Sequence, residues 1–198
     1  MARTDVQLML GVKAGDDSSF ELLLEKYRTP LIHFLGRMVK DPAMAEDLAQ
    51  EVFLRVYRAR KGYTPSAKFT TWLFRIATNL ALNAVRDERH RQRDVSIEQP
   101  GNACAGQSEI DEQPLEVADR RPGIVEALLE RDRAAFIKRA ILRLPEKQRA
   151  AVLMHKYHEM DYDQIAEALE CSGSALKSLL FRAYEALRVE LAPLVRGS

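Results

Sequence analysis

The stretch from Asp94 to Gly123 does most to limit what this chain can fold into. It holds three of the eight prolines (Pro100, Pro114 and Pro122), three glycines, and seven acids against two arginines. No hydrophobic period survives in it, so little apolar burial is available to offset the entropy of ordering it. A structureless run of this length is uncommon inside a compact domain. It predicts a flexible acidic linker over 94–123, with separate folding units over 1–93 and 124–198.

Both flanking units read as helical. Asp5 to Ala14 is a short helix stopped by Gly15-Asp16. A second helix starts near Asp17 or Ser18, and Pro30 either restarts it or kinks it. Asp41-Pro42 is a strong start signal, with Asp as N-cap and Pro in the first turn. The helix that follows places Ala45, Leu48, Ala49, Val52 and Val56 inward, and Asp47, Gln50, Glu51 and Arg55 outward. Residues 61–68 form a loop by their Gly, Pro and Ser content. Thr70 to Arg86 is helical and runs into the basic stretch RDERHRQR. Beyond the linker come a helix over Ile124 to Leu144, another opened by Pro145, and a final helical pair over Asp161 to Leu187. No strand pattern of convincing length occurs, so an all-α fold of two helical domains is expected.

Composition narrows the function. Charged residues make up 30% and hydrophobic residues 46%, as in a globular protein. The net charge is only +1. A protein that grips DNA alone usually carries a basic surplus, so a DNA reader of this charge needs a partner or a very uneven charge distribution. Cys104 and Cys171 form no disulfide framework and no Cys-x-x-Cys pair, which fits a reducing cytoplasm. The first ten residues carry Asp5 and no long apolar run, so neither a secretory signal nor membrane insertion is expected.

Enzymatic motifs are missing. There is no Gly-rich phosphate loop, no Gly-x-Ser-x-Gly and no His-Glu-x-x-His. His155 and His158 lack a third ligand nearby. Glu46, Asp47 and Glu51 read as a solvated helix face rather than an acid–base set. No catalytic residue, metal or cofactor is expected.

Two features point to nucleic acid. In the first, Tyr63, Phe69, Trp72 and Phe74 interleave with Lys61, Lys68, Arg75, Arg86, Arg89, Arg91 and Arg93. Phe69, Trp72 and Phe74 read mainly as core. The loop and the stripe Arg75, Asn79, Asn83 and Arg86 suit contact with phosphates and unstacked bases. In the second, Ile165, Ala166 and Leu169 form an apolar face, Cys171-Ser172-Gly173 breaks the period, and Leu176, Leu180, Ala183 and Leu187 form the next face. Ser172 or Ser174 is available as N-cap, and Ala175, Lys177, Ser178, Phe181 and Arg182 point the other way. That is the layout of a helix-turn-helix whose second helix enters the major groove.

Together these residues resemble a bacterial RNA polymerase sigma factor of the extracytoplasmic-function group. The N-terminal likeness lies in DPAMAEDLAQEVFLRVYRA and FTTWLFRIATNLALNAVRDERHR, the C-terminal likeness in LPEKQRAAVLMHKYHEMDYDQIAEALECSGSALKSLLFRAYEALR. The resemblance implies a promoter-specificity subunit that binds core RNA polymerase (β′ and β subunits) and promoter DNA, with an anti-sigma factor as a further partner and the cytoplasm as its place. Asp47, Gln50, Glu51 and Arg55 match the face that docks on β′. The loop Gly62 to Lys68, including Tyr63, Ser66 and Lys68, matches the loop that captures a flipped −10 base. Arg75, Asn79, Asn83 and Arg86 match the helix that meets the opened strand. Ser172, Ser174, Ala175, Lys177, Ser178, Phe181 and Arg182 match the −35 recognition surface. Leu179 and Tyr184 stand where the family often has Arg, so that helix carries less positive charge than is usual. Two other functions would suit the same helices: a stand-alone helix-turn-helix regulator, which would shift duplex DNA without polymerase, and an adaptor that keeps the fold without promoter reading.

Overall fold

The computed structural model describes the backbone of residues 3–98 and 124–196, and the side chains of 3–91 and 129–194. Among the described residues the secondary structure is entirely helical: α1 (Asp5–Lys13), α2 (Asp17–Met38), α3 (Pro42–Ala59), a 3-10 turn (Arg60–Gly62), α4 (Phe69–Glu98), α5 (Ile124–Arg143), α6 (Glu146–Tyr157), α7 (Tyr162–Ala168), α8 (Gly173–Glu190) and α9 (Ala192–Arg196).

Local chemistry sets the helix starts. Thr4 and Gln7 form a reciprocal capping box on α1, with Gln7 N donating to Thr4 Oγ1 at 3.3 Å and Thr4 N donating to Gln7 Oε1 at 2.9 Å. Asp16 caps α2 by accepting from Ser18 N at 3.2 Å. The hydroxyls of Ser18 and then Ser19 also donate to that carboxylate, and they hold it far below the usual carboxylate range. Asp41 caps α3 through Ala43 N at 3.0 Å. Ser172 rather than Ser174 caps α8, accepting from Ala175 N at 3.2 Å. Pro30 lies inside a single continuous α2.

Buried residues of both units join in one continuous hydrophobic cluster. In the first, α2 packs against α1, α3 and α4, burying Leu23, Leu31, Phe34, Leu35, Val52 and Leu73. In the second, α6, α7 and α8 bury Leu153, Met154, Ile165, Leu176 and Leu180. Each such side chain contributes roughly 1.5–3 kcal/mol when removed from water. At Gly11 α1 lies close against α2, because a Cβ there would meet Ser19 Oγ at 2.5 Å.

One boundary differs from expectation. Helix α4 continues to Glu98, so 94–98 is helix rather than linker. Asp94-Val-Ser-Ile-Glu98 contains no Pro or Gly, and the first breaker is Pro100, which disfavours helix at the residue before it. The rest of the expected linker, 99–123, lies outside the described residues.

The units pack on one another through a seam of α6 and α7 against α2 and α4. Arg149 of α6 is 5% exposed, and its guanidinium donates to the carbonyl of Met38 at the end of α2. It also donates to the carbonyls of Leu142 at 2.5 Å and Leu144 at 3.1 Å. A guanidinium at a helix C-terminus is favourably placed against the carbonyl dipoles. The ring of His158 lies against Phe74 at 4.4 Å and Phe34 at 5.6 Å between centroids. Burial first, and then the positive fields of Arg37 and His33, hold its pKa down to about 4. Arg37 stacks 4.7 Å from the ring of Tyr157, and Arg89 pairs with Glu146 at 2.5 Å.

Candidate nucleic-acid interface

Three surfaces carry the sequence-derived site residues. The first is the outer face of α3. Asp47, Gln50 and Arg55 are exposed and Glu51 is half-buried, with Arg55 Nε on Glu51 Oε1 at 2.7 Å. These residues follow one another at helical spacing, so they share a face. Leu54 stands among them, 42% exposed. Sequence reasoning missed it, because an isolated Leu amid polar residues reads as core until its direction is known.

The second surface is a cavity of about 430 Å³ beneath the 62–68 loop, a volume in the range of small-ligand pockets. The end of α3 supplies Arg58, the loop supplies Gly62, Tyr63, Thr64, Ser66 and Ala67, and α4 supplies Thr71, Trp72 and Arg75. Lys13 of α1 donates to the Tyr63 carbonyl at 2.7 Å, which pins the loop to the first helix. Ser66 and Lys68 are exposed on the loop. Tyr63 is 6% exposed, so it walls the cavity from within instead of presenting a free ring; its ring sits 5.2 Å from that of Trp72. The hydroxyls of Tyr63 and Thr71 are buried with no hydrogen-bond partner among the described residues. An unsatisfied buried hydroxyl is costly. Phe69 and Phe74 are core, as expected, at 2% and 3% exposure. Farther along α4, Asn79, Asn83 and Arg86 are exposed and extend the polar track away from the cavity. Arg58 and Thr71 were missed, since nothing in the sequence says that the ends of α3 and α4 meet.

The third surface is the outer face of α8. Ser172, Ser174, Ala175, Lys177, Ser178, Phe181 and Arg182 are all exposed, with Phe181 at 69%. The turn before it closes tightly. Glu170 N donates to the Glu167 carbonyl and Cys171 N to the Ala166 carbonyl, the paired bonds of a Schellman ending for α7. Glu170 itself has φ +51, the left-handed position usually held by Gly. Leu179 is half-buried. Tyr184 is half-buried and hydrogen-bonds His155 of α6, so it braces the fold from within.

Where α7 and its flanks approach the 62–68 loop and α4, acids face cations. Lys68 Nζ lies 3.8 Å from Asp161 Oδ2, Arg75 Nε lies 4.0 Å from Glu170 Oε1, and Glu167 lines the cavity. His155 and His158 share no ligand shell, and no group of three metal-ligating side chains occurs among the described residues. No helix among them is long and apolar enough to cross a membrane.

The fold is a two-unit helical protein, one unit with a loop-walled cavity and the other with a helix-turn-helix. Residues 23–91 match the family model for sigma-70 region 2, and residues 137–187 the model for sigma-70 region 4. The chain is 33% identical to the RNA polymerase sigma-H factor of Pseudomonas aeruginosa, over 97% of this chain and 96% of that one. It is 30% identical to the ECF RNA polymerase sigma factor SigW of Bacillus subtilis, over 92% of this chain and 94% of the relative. The sigma factor RpoE of Bartonella quintana, solved in complex with the anti-sigma factor NepR, shares the fold with a TM-score of 0.60 and 20% identity, over 87% of this chain and 96% of that one. The chain belongs to the extracytoplasmic-function group of RNA polymerase sigma factors.

Proposed function

We propose that this chain directs transcription initiation by joining core RNA polymerase to promoters with separate −10 and −35 elements. The face of Asp47, Gln50, Glu51 and Arg55, with Leu54 at its centre, docks on the β′ subunit. An apolar side chain ringed by charges is the composition of a specific protein contact, with the charges selecting the partner. The cavity under the 62–68 loop takes an unstacked −10 base, with Ser66, Lys68 and Arg75 at its mouth and Asn79, Asn83 and Arg86 along the strand. The outer face of α8 reads −35 as duplex. Strand opening then rests on trapping extruded bases, which needs positioning and charge rather than a covalent step. We place the working units at 1–98 and 124–198, in the cytoplasm with the polymerase. An anti-sigma protein is a further expected partner, as in the complex of the Bartonella protein.

The observation that carries this reading is the cation-bearing cavity between the 62–68 loop and α4, lined by Arg58 and Arg75 and continued along α4 by exposed Asn79, Asn83 and Arg86. Run-off transcription with core polymerase on a genomic promoter library tests it. Specific transcripts that require this chain are expected. A shift of duplex DNA by the chain alone, with no transcript in the presence of core, would favour a stand-alone regulator. Core binding without promoter-dependent transcripts would favour an adaptor.

A further inference from the structure

We propose that Lys13, the last residue of α1, is a positioning residue for −10 recognition: by holding the backbone of the 62–68 loop it sets which base the cavity beneath accepts. The inference rests on the reading of that loop and α4 as the −10 site.

The contact joins parts of the chain 50 residues apart, with Lys13 Nζ donating to the carbonyl of Tyr63 at 2.7 Å. A cation in the last turn of a helix is favourable against that helix's own carbonyls. Here the ammonium leaves its helix and serves a carbonyl of the loop instead. A charged donor makes a stronger hydrogen bond than a neutral one. The other backbone bonds of Tyr63 and Ser66 are short in span: Tyr63 N donates to the Arg60 carbonyl at 3.2 Å, and Ser66 N to the Thr64 carbonyl at 2.8 Å. Bonds of that span curl a loop without fixing it against the rest of the fold. Tyr63 is also the residue through which a hold on the loop reaches the cavity. It is buried, its ring packs on that of Trp72, and both rings line the cavity. Moving its carbonyl moves that wall.

A tether positions a loop only if its far end is fixed, and α1 is fixed on α2. At its start, Asp5 accepts from the Tyr27 hydroxyl and from the Lys26 ammonium, each at 2.5 Å. Just before it, Arg3 donates to Asp16 at 3.2 Å and to Ser19 at 3.0 Å. Leu8, Met9 and Val12 are buried along its inner side. Yet α1 precedes the residues that match sigma-70 region 2, which begin at 23. The loop is therefore anchored by a helix outside the part of the chain that carries the family pattern. A loop ordered before binding loses less freedom on capture. A base that needs another loop shape is rejected, because the tether resists the change.

Variants of the full-length chain test this. Lys13→Met keeps most of the side chain's length and removes the donor, and Lys13→Arg returns a charged donor. Lys40→Met makes the same charge change on an exposed residue elsewhere. Ser66→Ala with Lys68→Ala alters the loop itself. Acrylamide quenching of Trp72, the only tryptophan, reads loop order. Run-off transcription with core polymerase on a promoter library randomised across −10 reads base preference. That preference is a ratio within one preparation, so it does not depend on how much of a variant folds. Lys13→Met is expected to raise quenching. It should also flatten base preference about tenfold, the scale of one charge-assisted hydrogen bond, at the positions that the loop variant flattens. Lys13→Arg should restore both readouts at least in part, and Lys40→Met should leave both at wild-type values. Unchanged quenching in Lys13→Met overturns the positioning role. So does wild-type preference in Lys13→Met, whatever its total output, when the loop variant changes preference. A Lys13→Arg chain as impaired as Lys13→Met overturns it too, by assigning the effect to packing of the stem. Wild-type preference at every −10 position in the loop variant instead overturns the −10 reading on which the proposal rests.

Discussion

The hydroxyl of Tyr184 on α8 lies 2.7 Å from Nδ1 of His155 on α6. Tyr184 is half-buried and bridges two helices of the second unit. Tyr184→Phe keeps the ring and removes only this bond. A loss of about 0.5–1.5 kcal/mol in unfolding free energy is expected from urea denaturation, the usual net value of one such bond. An unchanged midpoint and slope would show that the contact holds nothing together.

The exposed face of α3 gives a cleaner test of polymerase docking. Asp47→Arg with Glu51→Arg reverses its charge without touching a buried side chain. Binding to core polymerase should be lost while circular dichroism shows the same helix content. Leu54→Ala should also weaken core binding, by at least 1 kcal/mol if Leu54 is a central anchor of the contact. Wild-type affinity in both variants would remove the docking role from this face.

On α8, Lys177 and Arg182 are exposed cations of the face proposed to read −35. Lys177→Ala with Arg182→Ala should reduce −35-dependent transcription, with each lost base contact worth about 1–3 kcal/mol. A fall in output of equal size on templates with and without a −35 element would point away from sequence reading and towards general phosphate contact.

His158 makes the seam sensitive to acid. Its pKa in the closed form is about 4, below the ordinary histidine value of 6.5, because burial disfavours the charged ring and Arg37 and His33 add to the effect. The opened or unfolded chain therefore binds more protons between these two values. The stabilisation from neutral His158 is fully present above pH 6.5 and declines as pH falls from there towards 4. His158→Phe keeps a ring between Phe34 and Phe74 and cannot titrate. Denaturation midpoints measured from neutral pH down to 5 should fall for the wild type and fall less for His158→Phe. Parallel curves would assign the acid sensitivity elsewhere.

Much of this was legible in the sequence because it is local. Asp41 read as the cap of α3 and Ser172 as one of two candidate caps of α8, and each caps the helix after it. The face of α8 follows from the spacing of Leu176, Leu180, Ala183 and Leu187, all buried. What was not legible is pairing across long separations. Arg149 and Met38 are 111 residues apart, and nothing in either neighbourhood announces the other. Tyr63 illustrates the same limit, since an aromatic in a polar loop reads as exposed until Lys13 is seen pinning the loop down. The cavity needed the ends of α3 and α4 in register, a tertiary fact with no one-dimensional trace.

The left-handed backbone at Glu170 bears on how this protein would respond to engineering. Gly at that position relieves the backbone penalty, so Glu170→Gly is a substitution that a screen for heat resistance would favour. The same change deletes the carboxylate that faces Arg75. A laboratory lineage selected only for robustness would therefore drift towards a tougher molecule that has given up one contact between its two units.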